Sequence, residues 1–189
     1  MESNYALAIQ GSPRKDGITS VMLEKAIVEA KKKGYTVEKI DLYEQNIHYC
    51  NGCRSCLDTG KCVQKDDLQK LVEAVKKSEL VILASPVYWA NVPAAVKNLF
   101  DRMLGVAMEE TVAFPKPRLE GRKYMILTAC NTKAPFSWIF GQSRGAIHCM
   151  DEFFRTAGMR PLGKVVCAGT GSKKKPDIHT LKKIERCFR

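Results

Sequence analysis

Four cysteines lie within thirteen residues of this chain, and a density of this kind suggests that the sulfurs share one chemical task. Cys50, Cys53, Cys56 and Cys62 follow the spacing C-x2-C-x2-C-x5-C. Three thiols at such short spacing can converge from one tight loop while the fourth closes from behind, which is how thiolates hold an iron-sulfur cluster. The spacing therefore favours a redox centre in this cysteine loop, residues 48–65.

Two alternatives remain open for the cysteine loop. Zinc sites more often divide their ligands between two separated pairs, so the consecutive short spacings favour a cluster over zinc. The second alternative is a loop of four reduced thiols without any metal. His48 precedes the cysteines, but it is interpreted as an isolated surface histidine without a role, as are His148 and His179.

A glycine-containing segment has the composition of an anion site. The first loop, residues 11–20, reads GSPRKDGITS and leads from an apolar run into a helical pattern. The free N–H groups of a helix N-terminus, together with Arg14, favour a phosphate group. Neither GxxxxGK[ST] nor GxGxxG is present, which favours a terminal phosphate over a buried pyrophosphate. The alternative is a simple capped helix with Thr19 or Ser20 as its N-cap.

Two large aromatic side chains follow a buried strand directly, where polar turn residues are more usual. This aromatic loop, residues 85–93, reads SPVYWANVP. A flat ligand would explain Tyr88 and Trp89, with Asn91 and backbone amides bonding the edge of its ring. The alternative is that the aromatic side chains cap the core or contact a second subunit.

An alternation of strands and helices must position these loops. Apolar runs predict five buried strands, at residues 5–10, 36–41, 80–84, 124–128 and 164–168. Helical spacing predicts five helices, at residues 22–30, 68–75, 93–103, 143–157 and 176–187. The remaining long irregular stretches are residues 105–122 and 131–142.

This alternation predicts an α/β fold in which helices cover both faces of a parallel sheet, a three-layer sandwich. Five strands favour the flavodoxin-like order 2-1-3-4-5. Ligands of such folds bind beyond the carboxyl ends of the strands, at the switch point between strands one and three. The first loop and the aromatic loop both follow those strands.

Composition predicts one domain spanning residues 1–189, because the chain is 45% hydrophobic. Lys and Arg outnumber Asp and Glu by 31 to 20, and a net charge of +11 attracts anions such as phosphorylated cofactors. The basic runs lack interleaved aromatics, so nucleic acid is not an expected partner. Without a signal sequence or an apolar span, we expect a soluble cytoplasmic protein with reduced cysteines and no membrane partner.

Three segments together resemble the NAD(P)H-dependent FMN reductase group, and within it the iron-sulfur flavoprotein branch. They are GSPRKDGITS, SPVYWANVPAAVKNLFDR, and the cysteine loop followed by Asp66-Asp67. The resemblance continues through GQSRG at residues 141–145 and Ala168-Gly169-Thr170, so it covers nearly the whole chain. One departure from the family pattern is Ile18, where relatives often carry Asn. Without that Asn side chain, the loop would still bind phosphate through its backbone amides.

The resemblance implies an FMN cofactor, with a flavodoxin-like FMN-binding domain over residues 1–189. The residues holding the FMN phosphate would be Ser12, Arg14, Thr19 and Ser20. Those lining the isoalloxazine would be Pro86, Val87, Tyr88, Trp89 and Asn91, with Ala129 and Asn131 as weaker candidates at its far edge. The ligands of a [4Fe-4S] cluster would be Cys50, Cys53, Cys56 and Cys62. No side chain is assigned as a general acid or base, because the flavin carries the chemistry.

The function expected from these features is that of an FMN-dependent oxidoreductase. It would take electrons from NAD(P)H and pass them through FMN, and through the cluster where present, to a small-molecule or ferredoxin-like acceptor. The resemblance also suggests a homodimer or homotetramer. The alternative is a non-enzymatic electron carrier resembling flavodoxin, although flavodoxins are usually acidic and this chain is basic.

Two other readings of the sequence are disfavoured. A zinc-loop protein that binds nucleic acid would leave the phosphate-binding features of the first loop unused. Cys149 and Arg155 match the C-x5-R spacing of low-molecular-weight tyrosine phosphatases. That spacing is interpreted as accidental, because Cys149 lies in a helical stretch without glycine and not in a phosphate loop after the first strand.

Overall fold

Five parallel strands form the central sheet of the computed structural model, which describes residues 4–189. They are Tyr5–Gln10 (β1), Thr36–Asp41 (β2), Leu80–Pro86 (β3), Lys123–Cys130 (β6) and Arg160–Ala168 (β7). A separate antiparallel hairpin pairs Met108–Glu109 (β4) with Lys116–Pro117 (β5). The order of the sheet is β2-β1-β3-β6-β7, which confirms the predicted flavodoxin-like order.

Five longer helices occupy the regions where helical spacing predicts them. They are Ile18–Lys32 (α1), Leu68–Lys77 (α3), Ala94–Arg102 (α4), Gln142–Thr156 (α7) and Ile178–Cys187 (α8). Three short helices complete the described part of the chain: Ser55–Thr59 (α2), Leu104–Ala107 (α5) and Phe136–Ile139 (α6). Helix α2 lies inside the cysteine loop and α6 inside the stretch 131–142, while α5 begins one residue before the stretch 105–122. These helices were not predicted because four or five residues carry too little periodicity to predict a helix.

Apolar side chains on both faces of the sheet explain why its strands read as continuous apolar runs. On one face, Leu7 and Ile9 of β1 belong to a buried cluster with residues of α3, α4 and α7. On the other, Ala6 and Ala8 belong to a cluster with residues of α1 and α8. Each face is thus buried under helices, as parallel sheets require.

The carboxyl ends of β1, β3 and β6 lie side by side and bring three loops together. Gln10 pairs in register with Ala84, and Pro86 pairs with Ala129. The N–H of Gly11 donates to the Ala84 carbonyl at 2.7 Å. A β-carbon at residue 11 would lie 3.0 Å from that oxygen and 2.6 Å from Val96, so the first loop needs glycine where it leaves the sheet.

No helix within residues 4–189 combines the length and the apolar character needed to cross a membrane. The longest helices, α1 and α7, have 15 residues each and carry charged side chains.

Candidate functional site

A cavity of about 840 Å³ opens where the loops after β1, β3 and β6 meet. The predicted ligand-binding residues that line it are Ser12, Arg14, Thr19, Pro86, Val87, Tyr88, Trp89, Ala129 and Asn131. The structure thus brings together residues that lie more than a hundred positions apart in the chain. The volume of this cavity falls within the range typical of cofactor sites.

The first loop delivers a helix N-terminus to this cavity without a side-chain cap. Helix α1 begins at Ile18, its N-cap is Gly17, and no side chain in the described range 4–189 makes a capping hydrogen bond there. Its first turn contains no acidic residue. Since the first N–H groups of a helix have no partner within the helix, they remain available to an anion. Arg14 and Thr19 line the cavity beside them.

Ser20, predicted as a phosphate ligand, is used inside the first loop and does not line the cavity. Its hydroxyl donates to the Arg14 carbonyl at 2.6 Å and accepts from Gln10 Nε2 at 2.6 Å. Gln10 Nε2 also approaches the Ser12 carbonyl at 3.3 Å, and the Arg14 N–H donates to the Ser12 hydroxyl at 3.3 Å. This network fixes the path of the loop, and Ser20 and Gln10 are both buried.

The aromatic loop turns through two residues in the left-handed region. Tyr88 and Asn91 exchange backbone hydrogen bonds of 2.8 and 2.9 Å, and between them Trp89 and Ala90 have φ angles of 51° and 58°. Side chains larger than glycine rarely adopt such angles, and strain of this kind concentrates at binding sites. The turn leaves Trp89 fully exposed at the edge of the cavity.

Asn91, predicted to bond the edge of a ring, does not line the cavity. Its side-chain oxygen accepts from the Val92 N–H at 2.8 Å and so fixes the exit of the turn. This turn also packs on α7. The Ala90 carbonyl oxygen lies only 2.2 Å from the point that a β-carbon at residue 145 would occupy.

Several lining residues were not predicted as ligands from the sequence: Asp16, Gly17, Ile18, Ala90, Cys130, Thr132, Gln142, Thr170, Lys173 and Lys174. Gln142 is the first residue of α7, and its Oε1 is buried without a hydrogen-bond partner in the described part of the chain. Thr170 donates its hydroxyl to the Asn131 side chain at 2.9 Å. The motif GQSRG and the run Lys173 to Lys175 were the available sequence signals, but neither indicates a position relative to the sheet.

The cysteine loop borders a second, smaller cavity that all four predicted cluster ligands line. Cys50 and Cys53 are exposed, Cys56 and Cys62 are half-buried, and none of the four forms a disulfide. Hydrogen bonds with the backbone and side chain of Ser55 lower the pKa of the Cys53 thiol.

A metal site is not evident from the geometry of these sulfurs. The part of the chain that the structure describes contains no group of three or more His, Cys, Asp or Glu side chains arranged around one metal ion. The cysteines of a [4Fe-4S] cluster each bond a different iron, so their sulfurs stand farther apart than those around one ion. The four thiols around one cavity match such a cluster in the number and type of their donors.

Helix α5 packs closely against the cysteine loop. A β-carbon at Gly105 would lie 1.9 Å from the Cys56 carbonyl oxygen, so this contact requires glycine. Arg118 reinforces it by donating to the carbonyls of Gly105 at 2.7 Å and Leu57 at 3.1 Å. Helix α2 is thereby held against α5 through residues distant in sequence.

Solved structures resemble this fold at low sequence identity. The NAD(P)H:quinone oxidoreductase from Methanothermobacter marburgensis superposes with a TM-score of 0.80 at 17% identity, covering 99% of this chain and 98% of that one. An FMN-dependent NADH-azoreductase from Bacillus anthracis, solved in complex with FMN, gives a TM-score of 0.71 at 16% identity, covering 98% and 97%. At these identities the likeness establishes the fold alone.

A match to a family profile places the chain in a family, and several sequence relatives are similar to part of it. An iron-sulfur flavoprotein from Archaeoglobus fulgidus is 50% identical over 99 residues, which are 52% of this chain and 45% of that protein. The chain spans about half the length of the curated iron-sulfur flavoproteins that it matches at 35–50% identity. The sequence profile of a family described as NADPH-dependent FMN reductase matches residues 5–171. With most of its length matched and the corresponding fold, the chain belongs to the NADPH-dependent FMN reductase family.

Proposed function

We propose that this protein is an FMN-dependent oxidoreductase that takes electrons from NAD(P)H and passes them to an acceptor. One observation carries the proposal: the uncapped N-terminus of α1 and Arg14 share a cavity with the turn that carries Tyr88 and Trp89. A cationic end beside an aromatic end is the arrangement that a phosphorylated flat cofactor requires. The family assignment and the FMN bound in the Bacillus anthracis azoreductase support the same cofactor.

The residues around the cavity fit FMN chemically. Arg14 and the free N–H groups of α1 supply positive charge and donors for a terminal phosphate. The buried Gln142 Oε1, which has no hydrogen-bond partner within residues 4–189, offers an acceptor to a ligand N–H or hydroxyl. We therefore propose the predicted residues that line the cavity as FMN contacts, and Ser20 and Asn91 as residues that hold the two loops in place.

FMN, when bound, supplies hydride acceptance and electron transfer to a second substrate. The chain itself binds and orients the cofactor. The first loop fixes the phosphate end through its internal hydrogen bonds, and the turn at Trp89 and Ala90 fixes the other end. The exposed Trp89 leaves this side of the cavity accessible to a nicotinamide or an acceptor. No general acid or base is needed for this function.

FMN binding and turnover test the proposal separately. Titration of the apoprotein with FMN, followed by flavin fluorescence, is expected to show saturable binding with one flavin per chain. Anaerobic mixing of the holoprotein with NADH or NADPH and a quinone should then give steady-state oxidation of the nicotinamide. Absence of FMN binding would overturn the proposal. Binding without turnover by either nicotinamide would support the non-enzymatic electron carrier instead.

We further propose that the cysteine loop holds a [4Fe-4S] cluster that extends electron transfer to a one-electron acceptor such as a ferredoxin-like protein. The curated relatives named iron-sulfur flavoprotein support this, as does the set of four free cysteines around one cavity. Iron and acid-labile sulfide should be found at about four of each per chain after anaerobic reconstitution. Background values for both would refute the cluster and leave the flavin proposal intact, and stoichiometric zinc would favour the zinc alternative.

Assembly as a homodimer or homotetramer is also proposed. The exposed side chains of Phe136, Trp138, Ile139 and Phe140 support it, because an apolar group of this size favours contact with another surface. Sedimentation equilibrium of the holoprotein is expected to give two or four times the chain mass of 21.2 kDa. A single-chain mass at micromolar concentration would contradict the proposal.

A further inference from the structure

Two residues outside the cysteine loop join its two ends. His48 is the first residue of the loop, and Asp66 follows its last residue. Arg102, the final residue of α4, donates to the His48 carbonyl at 2.5 Å and to the two Asp66 carboxylate oxygens at 2.7 and 3.1 Å. One guanidinium group therefore contacts the entry and the exit of the loop together.

Asp66 strengthens this connection with two further hydrogen bonds. Its carboxylate accepts from the backbone N–H groups of His48 at 3.0 Å and of Leu68 at 3.1 Å. Asn98, one helical turn before Arg102, adds bonds from its side-chain amide to the carbonyls of Ile47 and His48 at 3.2 and 3.3 Å. These polar contacts hold the entry segment of the loop to α4 and to the start of α3, and Ile47 also packs against the hydrophobic core.

Burial makes this ion pair unusual. The side chains of Arg102 and Asp66 are 0% and 1% exposed. Burial by itself would raise the pKa of Asp66, but the hydrogen bonds from Arg102 and from the His48 and Leu68 backbone outweigh that effect and lower it. Both groups therefore remain charged, although taking two charges out of water costs free energy that a hydrophobic pair would not. A cost of this kind suggests a task besides stability.

The free nitrogen of Arg102 indicates that task. Its Nε is buried and has no hydrogen-bond partner among residues 4–189. Arg102 also lines the cavity bordered by Cys50, Cys53, Cys56 and Cys62. A buried cationic side chain among the residues that line such a cavity is suited to a group that carries negative charge and sulfur acceptors.

We propose that Arg102 is a positioning residue of the cysteine loop: paired with Asp66 it holds the two ends of the loop together, and it presents a fixed positive charge to the cavity that the four thiols line. The part of this proposal that concerns charge rests on the iron-sulfur cluster proposed above, because that thiolate-bound cluster is the ligand toward which the charge would act. The arrangement of the loop by Arg102 does not depend on that group, and the two parts can be tested apart.

Thiol reactivity in the metal-free protein tests the positioning role. Iodoacetamide labelling, quantified for each cysteine by peptide mass spectrometry, measures how often the loop opens. Arg102→Met is expected to accelerate labelling of the half-buried Cys56 and Cys62 by roughly tenfold, because the loss of a charge-assisted hydrogen bond makes local opening of the loop easier. Cys187, half-buried in α8, serves as an internal reference whose labelling should not change.

A matched control separates this role from a general loss of stability. Arg122 also has a buried Nε without a partner in the region described, and it donates to the Lys76 and Glu120 carbonyls away from the cysteine loop. Arg122→Met should leave labelling of Cys56 and Cys62 unchanged. Should Arg102→Met fail to fold, Arg102→Met with Asp66→Asn removes both buried charges, keeps an acceptor for one of the two backbone N–H groups, and is expected to show the same acceleration.

The reconstituted protein tests the charge. Reduction adds one negative charge to a cluster, so removing a nearby positive charge should make its midpoint potential more negative, whereas Arg102→Lys should restore much of the difference. An unchanged potential in Arg102→Met would overturn the electrostatic part, and unchanged labelling of Cys56 and Cys62 would overturn the positioning part. If the unaltered protein itself takes up no iron or sulfide, the cluster proposal fails, while the labelling result still decides the role of Arg102.

Discussion

The carbonyl oxygen of Ala90 lies 2.2 Å from the point that a β-carbon at Gly145 would occupy. Ala90 belongs to the strained turn after β3, and Gly145 lies in the first turns of α7. The contact therefore couples the aromatic loop to the helix that begins with Gln142. The turn and α7, which form two sides of the proposed FMN site, can pack this closely only because residue 145 has no side-chain methyl group.

Gly145→Ala is expected to weaken FMN binding by about tenfold, because overpacking at a tight contact costs about 1–3 kcal/mol and shifts the backbone of the turn. Flavin fluorescence titration measures the effect. Gly171→Ala is the control, since a β-carbon there would meet nothing within 4 Å. Wild-type affinity in Gly145→Ala would show that the contact does not constrain the site.

Arg14→Gln should raise the dissociation constant of FMN by about ten- to a hundredfold, because hydrogen bonds to charged groups contribute about 1.5–3 kcal/mol. Riboflavin, which lacks the phosphate, should bind both proteins equally. The adjacent cation supplies the control: Lys15 pairs with Glu44 and does not line the cavity, so Lys15→Gln should change neither affinity. An equal loss of riboflavin affinity in Arg14→Gln would argue against a phosphate contact.

Ser20→Ala is expected to lower the free energy of unfolding of the apoprotein by about 1–2 kcal/mol, since it removes the partner of Gln10 Nε2 and of the Arg14 carbonyl. Thr19→Val, at a buried position that lines the cavity, should weaken FMN binding and lower apoprotein stability by less than Ser20→Ala does. Urea denaturation and flavin titration of both variants give the comparison. If Ser20→Ala impaired only FMN binding, Ser20 would be a ligand and not a positioning residue.

Asp151 provides a prediction about pH. Burial would raise its pKa, but hydrogen bonds from Lys164 and from the Tyr124 hydroxyl outweigh burial and lower it. A carboxyl whose pKa is lower in the folded than in the unfolded protein stabilises the fold above its unfolded pKa of about 3.9 and loses that contribution as the pH falls through the folded value.

Asp151→Asn should therefore lower the free energy of unfolding by about 1–3 kcal/mol at neutral pH, and the difference should shrink as the pH falls below about 4. Urea denaturation at pH 7 and pH 3 measures both values. Glu152→Gln, at the exposed neighbouring residue of α7, should have little effect at either pH. A deficit that is the same at both pH values would contradict an ionic contribution.

Much of the fold could be predicted because its signals are local. The strands at residues 5–10 and 36–41 have the predicted bounds, while β7 begins four residues earlier than the predicted residue 164 because its first half is less buried. The alternative in which Thr19 or Ser20 caps α1 differs from the structure, where Gly17 is the N-cap and leaves the helix end free. Boundaries of this kind depend on backbone angles that residue type only biases.

The site was predictable only as far as its loops. Composition indicates that the first loop binds an anion, but whether a hydroxyl faces the cavity or the loop depends on its partner, and Gln10 directs Ser20 inward. Lys173 and Lys174 reach the cavity because β7 lies at the edge beside β6. Charge in the sequence carries no such positional information.

The sequence by itself determined the alternation of apolar strands and amphipathic helices, and with it the parallel sheet, because hydrophobic periodicity is a property of neighbouring residues. It also determined which residue types each loop contains. Only the tertiary structure decided which of these residues share the cavity, that Gly145 must admit the Ala90 carbonyl, and that Arg102 joins the ends of the cysteine loop. These relationships arise between residues tens of positions apart, where packing of the whole chain sets the distances.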